Sequence, residues 1–300
     1  MKIVIAGGTG YLGKLLTEYY RKKKENQIYI LTRNHRLNFE NVNYIQWDGK
    51  TKGYWSNCLE NTDVIINLTG KSVNCRYTTN NKTEIYRSRL ESTAVLCEVI
   101  QSLKFPPKVF IQSSSATIYR HSEGELMTEA KGEIGVDFSM DVCKKWEQIF
   151  NAFELPKTKR IITRTSIVIG NNGGAFPIMK RMTKLGLGGK QGNGNQYISW
   201  VSEEDYVNAI DFLIHQESGV YNVCVPNPIR NKDFQKELQR KLKIPFGLSS
   251  PKWILKIGAK LIGTETELLL KSRKVYPEKL IHLGFRFKNR TFSEFNVFVN

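Results

Sequence analysis

KIVIAGGTGYLG, residues 2–13, decides the fold. Lys2 to Ala6 is a short apolar run of β character, and the glycines follow at once. Leu12, Leu15, Leu16 and Tyr19 then recur on one helical face in a stretch running to Lys24. Strand, glycine turn and helix start, in that order, make a dinucleotide cradle. Gly7 and Gly10 permit a tight turn and close approach of the backbone to a pyrophosphate, Gly13 lets helix and sheet pack, and the free N–H groups of the helix start face the phosphates. A bare glycine triplet is weak evidence, but one placed between strand and helix is specific.

Outward from this loop, apolar runs alternate with amphipathic stretches, the pattern of repeated βα units. Strands are expected at Gln27 to Thr32, Val42 to Trp47, Asp63 to Leu68, Lys108 to Ser113 and Ile161 to Ile169, with helices at Ile85 to Leu103, Ser139 to Phe153 and Glu203 to His215. Together with the first strand these six give an α/β protein, a Rossmann-type doubly wound parallel sheet. The two prolines of VPNPIR, residues 225–230, interrupt helix and sheet alike. The reading is therefore a domain over residues 1–228, including a glycine-rich substrate-side segment at 171–200, and a small, mainly helical C-terminal domain over 229–300.

The 300 residues suffice for such a pair, and 40% hydrophobic with 24% charged content is that of an ordinary globular protein. No apolar run is long enough to span a bilayer, and the N-terminus lacks the layout of a secretory signal, so a cytoplasmic location is the default expectation. Five scattered cysteines without C-x-x-C, and four histidines without ligand spacing, predict neither disulfides nor a metal site. Of the net charge of +17, residues 229–300 supply 16 Lys and Arg against 6 Asp and Glu. That excess invites a nucleic-acid reading, yet no such motif or stacking platform accompanies it, and no nucleic-acid partner is expected. Within PKWILKIGAKLIG, residues 251–263, lysines recur every fourth position beside apolar residues, an amphipathic helix whose simplest use is to pack on its own domain, the alternative being to lie on an anionic membrane or bind a partner.

The second strand ends in Leu31, Thr32 and Arg33, about 20 residues past the loop, where an NAD-selective site places a carboxylate on the ribose 2′-hydroxyl. No Asp or Glu occurs between Gln27 and Asn38. Arg33 can pair with a 2′-phosphate and Thr32 can add a hydroxyl, so NADP(H) is favoured over NAD(H); a plain surface arginine is the alternative. DVIINLTG, residues 63–70, brings Asn67, Leu68, Thr69 and Gly70 to the switch point of the sheet. Asn67 can equally cap the next segment.

These residues resemble the short-chain dehydrogenase/reductase superfamily in its extended, epimerase-like branch. GGTGYLG, NLTG and SSSATIY at 113–119 stand in that family's order. LTR at 31–33, SRLEST at 88–93, WE at 146–147, GGA at 173–175, LGLGGKQGNGNQYISWV at 185–201 and GFRF at 284–287 are similar to the atypical NAD(P)-dependent "epimerase family" subgroup, which has a short C-terminal domain. The resemblance implies cofactor contacts from Gly7, Thr9, Gly10, Tyr11, Leu12, Thr32, Arg33, Leu68, Thr69, Gly70, Glu84, Arg89 and Val168. For Glu84 and Arg89, a solvated helical charge pair is the alternative.

The superfamily's catalytic set is a Ser or Thr that positions the substrate oxygen, a Tyr that exchanges a proton, and a Lys four residues later that lowers the Tyr pKa. Ser115 matches the serine, whereas Ser139 stands in the place of the Tyr and Cys143 in that of the Lys, and no Tyr-x-x-x-Lys occurs between Ser115 and Arg160. Lys144 and Lys145 adjoin that place, but with a helical rotation of about 100° per residue neither automatically points into the same site. Tyr119, four residues past Ser115, is the remaining candidate donor, its alternative being a pocket lining; Cys143 is either a reactive thiol or a buried core residue. Gln196, Ser199 and Trp200 are expected at the substrate side, or else as structural residues. Two functions follow: an NADP(H)-dependent epimerase/dehydratase-like oxidoreductase of a small molecule, or a non-catalytic NADP(H)-binding redox sensor or scaffold; a weaker third reading has the basic tail dock on nucleic acid or anionic lipid.

Overall fold

The computed structural model describes residues 1–251, 253, 255, 265 and 270–296. Its centre is a seven-stranded parallel sheet built from β1 (Lys2–Ala6), β2 (Gln27–Thr32), β3 (Val42–Gln46), β4 (Val64–Asn67), β5 (Val109–Ser115), β6 (Lys159–Thr165) and β10 (Gly219–Val223). The order β10-β6-β5-β4-β1-β2-β3 reverses direction between β1 and β4, which is the topological switch point of a doubly wound fold. Ile3, Ile5, Ile28, Ile30, Ile65 and Ile111 are fully or almost fully buried, as expected for strands covered on both faces.

Helices α1 (Tyr11–Arg21) and α5 (Glu203–Leu213) cover one face, where Leu16, Tyr20, Ile210 and Leu213 pack on Ile3, Ile5 and Ile28. Helices α2 (Thr79–Ser102) and α3 (Phe138–Asn151) cover the other through Leu96, Val99, Ile100 and Phe150. The α2 helix starts six residues before the expected Ile85, because Thr78 caps it by accepting a hydrogen bond from the Asn81 amide.

Two expectations about strands need correction. Ile161 to Ile169 is not one strand: β6 stays in the sheet, whereas β7 (Ile167–Ile169) leaves it after Ser166 and pairs in parallel with β9 (Trp200–Ser202). The sheet also has a seventh member, β10, whose five residues GVYNV alternate too briefly to signal a strand.

A second packing unit gathers around α4 (Phe176–Lys184) and α6 (Asn231–Leu242), with β11 (Ile229–Arg230) antiparallel to β8 (Tyr197–Ile198). Phe176, Trp200, Phe234, Phe292 and Phe295 form its core. The glycine-rich segment thus packs with residues beyond 229. Residues 272–276 run back along the larger unit: the Ser272 amide donates to His121 Nδ1 at 2.9 Å and the Tyr276 amide to the Met127 carbonyl at 3.0 Å. Asn222, a buried residue of β10, donates from Nδ2 to the Tyr276 carbonyl at 3.0 Å. Most of the 251–263 stretch lies outside the described residues, as does its expected amphipathic helix. Among the described residues no helix is long and apolar enough to cross a membrane, and no cluster of side chains could hold a metal ion.

Candidate functional site

Gly7 adopts φ of +77°, and a Cβ there would stand 3.0 Å from the Leu68 carbonyl carbon, so only glycine fits where β1 and β4 diverge. Its amide donates to the Leu31 carbonyl at 3.3 Å, which sets Thr32 and the exposed Arg33 directly beside the turn. Gly10 is the N-cap of α1, without a side-chain cap and with no acidic residue in the first turn. The first N–H groups of that helix are left for an anion.

Across the switch point, Asn67 Oδ1 accepts from the Thr69 amide at 3.1 Å and from the Thr69 hydroxyl at 2.5 Å, while its amide group donates to Thr93 Oγ1 and Gln112 Oε1. Asn67 is therefore the clamp that shapes the Leu68–Thr69 turn. The SRLEST motif serves the same turn: Ser88 Oγ accepts from the Lys71 amide at 2.8 Å, Ser92 meets Thr69 at 2.5 Å, and Arg89 Nη1 donates to the Lys71 carbonyl at 3.0 Å. A Cβ on Gly70 would lie 2.9 Å from the Arg89 guanidinium carbon, so the glycine makes room for it. Arg89 stacks 5.0 Å over Trp146 and has no ion pair among the described residues; desolvation pulls its pKa below the ordinary guanidinium value.

These elements enclose a cleft of about 330 Å³ at the carboxyl ends of β1, β4, β5 and β6. Tyr11, Leu12, Leu68, Thr69, Gly70 and Arg89 line one wall; Ser115 and Val168 line the other. Ser139 and Cys143 do face this space, as does Trp146, so the positions of the usual Tyr and Lys are filled by a hydroxymethyl and a thiol. Lys144 and Lys145 point to solvent, the latter paired with Asp141 at 2.8 Å. Thr117, Thr165 and Val73 also line the cleft and carry no sequence signal of their own. Thr165 Oγ1 is buried there without a hydrogen-bond partner among the described residues.

Five expected site residues lie elsewhere. Tyr119 is wholly buried: its hydroxyl donates to Asn222 Oδ1 at 2.8 Å and accepts from Arg164 Nη1 at 2.9 Å, and Gly132 closes on its ring. Burial raises its pKa, so it is a structural phenol and not the proton donor of the cleft. Glu84 sits on the outer side of α2, paired with Arg87 at 3.3 Å, because five residues turn a helix by about 140° beyond a full revolution and part it from Arg89. Trp200 is fully buried against Phe292 and Phe295. Ser199 is spent on the Arg273 carbonyl and the Val275 amide, and Gln196 on the Gln191 carbonyl. Of the substrate-side segment, only Gly174 and Ala175 reach the cleft.

Sequence reading missed what joins the two sides. The Tyr11 hydroxyl donates to Glu203 Oε1 at 2.7 Å, and Gly173 and Gly174 close on the Tyr11 ring. It also missed the support under Ser115. Arg164 grips Glu147 with two bonds of 2.9 and 2.7 Å, and Ser114 Oγ donates to the same carboxylate at 2.6 Å. Ser115 itself donates to Thr117 Oγ1 at 3.0 Å and sits at the cleft floor.

Cys143 is no activated nucleophile. Burial pushes its thiol up to about 12, against a smaller opposing pull from Arg89. At neutral pH it is expected to react with iodoacetamide at least about tenfold more slowly than the partly exposed Cys75. Peptide mass spectrometry of the labelled protein reads both rates, and equal labelling would reveal a thiolate in the cleft.

A doubly wound sheet with a glycine turn, an open helix N-terminus and a cleft at its switch point defines a Rossmann protein of the nucleotide-binding kind. More narrowly, the chain belongs to the NAD dependent epimerase/dehydratase family, whose model matches residues 3–224, while residues 250–294 match a domain of unknown function, DUF1731. An "Epimerase family protein" of Staphylococcus aureus is 34% identical over 289 residues, covering 95% of this chain and 94% of the relative. Among solved structures, a human epimerase family protein with NADPH superposes with a TM-score of 0.84 at 22% identity, covering 98% of this chain and 97% of that one. MoeE5, in complex with UDP-glucuronic acid and NAD, gives 0.75 at 16% identity, covering 96% and 94%.

Proposed function

We propose that this chain binds NADP(H) across the cleft and acts as an epimerase/dehydratase-like oxidoreductase on a small polar molecule. The carrying observation is that one cleft joins the uncapped start of α1, Thr69, Val168 and Ser115, with Arg33 rather than a carboxylate beside the turn. The cradle fits a dinucleotide: Gly7 and Gly10 keep the backbone bare, and Thr165 Oγ1 is a buried hydroxyl that a bound molecule would satisfy. Thr32 and Arg33 would hold the 2′-phosphate, and the α1 amides the pyrophosphate. When bound, the cofactor supplies hydride chemistry; Ser115 would offer its hydroxyl to the reacting oxygen. The human relative solved with NADPH supports the cofactor choice.

Fluorescence titration tests it. NADPH is expected to bind more tightly than NADH, and Arg33→Ala to weaken NADPH by about 10- to 100-fold, the worth of a charge-assisted pair, while leaving NADH nearly unchanged. Equal affinities in the native protein would sink the NADP assignment. For turnover, Ser115→Ala is expected to cost on the order of 10²-fold without changing NADPH affinity, as for loss of one donor at a reacting oxygen. Tyr119→Phe is expected to leave turnover within a few-fold. Full activity in Ser115→Ala would remove the serine from the chemistry.

A second reading rests on Ser139 and Cys143: with no phenol and ammonium pair in the cleft among the described residues, the chain is an NADP(H)-binding redox sensor or scaffold. It predicts no turnover on a broad carbonyl and sugar panel, and a protein partner whose affinity differs between NADPH and NADP⁺. Identical partner affinity in both states counts against it.

A further inference from the structure

The outer face of the second unit leaves large apolar side chains open. Ile178, Met182 and Leu185 recur at i, i+4 and i+7 and so share one side of α4, and each is exposed. Phe246, Leu248 and Trp253 continue the surface at 63%, 61% and 64% exposure. The two stretches are joined, not merely near: the Leu248 amide donates to the Gly186 carbonyl at 2.7 Å and the Gly189 amide to the Leu248 carbonyl at 3.1 Å. Gly186 itself lies against the Phe246 ring. Contiguous apolar surface of this kind on a folded chain marks a place of contact.

Within these two stretches the charge has one sign. Residues 171–202 contain four Lys or Arg and no Asp or Glu, and residues 241–264 contain five Lys and no Asp or Glu. Arg181, Lys184, Lys190 and Lys243 are exposed among the described residues.

We propose that this face docks on an anionic lipid surface. Aliphatic side chains and a tryptophan enter the boundary between headgroups and acyl chains, and the cations of the two stretches meet acidic headgroups, Glu237 of the adjoining α6 being already paired with Arg240 and Lys241. A second copy of the chain is a poor occupant, because a two-fold contact sets this positive face against itself. Nucleic acid would satisfy the lysines and leave Ile178, Met182, Leu185 and Leu248 with nothing to bury against. Docking also orients the molecule: α4 starts at Phe176, immediately after the cleft residues Gly174 and Ala175, so the cleft lies next to the docked surface. This inference does not depend on the cofactor reading.

Co-sedimentation of the full chain with phosphatidylcholine vesicles, with and without phosphatidylglycerol, tests it. Binding is expected only with phosphatidylglycerol and is expected to fade in high salt. Leu185→Glu combined with Phe246→Glu is expected to weaken binding by at least about tenfold while the circular dichroism spectrum and the thermal melt stay as in the native chain. If that variant fails to fold, Arg181→Glu with Lys184→Glu asks the same question through charge alone. Absence of sedimentation, equal binding to both vesicle types, or retention of binding in the folded variants overturns the proposal. So does a dimer, seen by light scattering, that the same substitutions dissolve, or binding of RNA in place of vesicles.

Discussion

Glu147→Ala is expected to lower the melting temperature by roughly 6 to 20 °C, the largest stability effect of any single change named above. Arg164 and Glu147 are both below a tenth exposed and meet through two hydrogen bonds. Removing one partner strands a desolvated guanidinium, which costs about 3–5 kcal/mol, far more than the pair is worth against two apolar residues. Ser114 loses its acceptor in the same step. The control is Lys108→Ala, which breaks the exposed pair with Asp63 at 2.7 Å and is expected to cost no more than about 1 kcal/mol. Differential scanning calorimetry compares the two, and similar melting shifts would mean that the buried pair is solvated in the folded chain.

Gly13→Ala is expected to weaken NADPH binding by about 10- to 100-fold, corresponding to about 1–3 kcal/mol of overpacking strain in the loop. An added Cβ would stand 2.4 Å from Gly8 Cα and 2.7 Å from its carbonyl carbon. Those are backbone atoms, so no rotamer relieves the clash and the turn must lift from α1. Gly124, with nothing within 4 Å of an added Cβ, is the neutral comparison. Isothermal titration reads both variants, and unchanged NADPH affinity in Gly13→Ala would detach the loop from cofactor binding.

The loop at residues 7–13 and the strands around it were legible because their signals are local: glycine spacing, a buried apolar run, and one helical face within 20 residues. Ser115 was legible for the same reason, standing in SSSATIY at the end of β5. Tyr119 was misread because the chain turns at Ala116–Ile118 into a short 3-10 helix and drops the phenol beneath the sheet. Its partners Arg164 and Asn222 lie 45 and 103 residues away, where no local spacing reveals them. Which of the two readings of Trp200 holds is not legible locally, since Phe292 and Phe295 decide its burial from the far end of the chain. The Tyr11 link to Glu203 spans 192 residues and leaves no trace in either segment alone.

Asn222 also sets an order on synthesis. Its side-chain amide donates to the Met127 carbonyl within the large unit but also waits for the Tyr276 carbonyl, and the Met127 amide waits for the Lys274 carbonyl, so these donors are unmet until the second half of the C-terminal stretch leaves the ribosome. At about 5–20 residues per second the interval between Val223 and Tyr276 lasts on the order of 3–10 s. During that time the nascent chain carries a nearly finished nucleotide fold whose last strand is paired with β6 but not yet covered by residues 272–276, and that is the window in which a chaperone has most to hold.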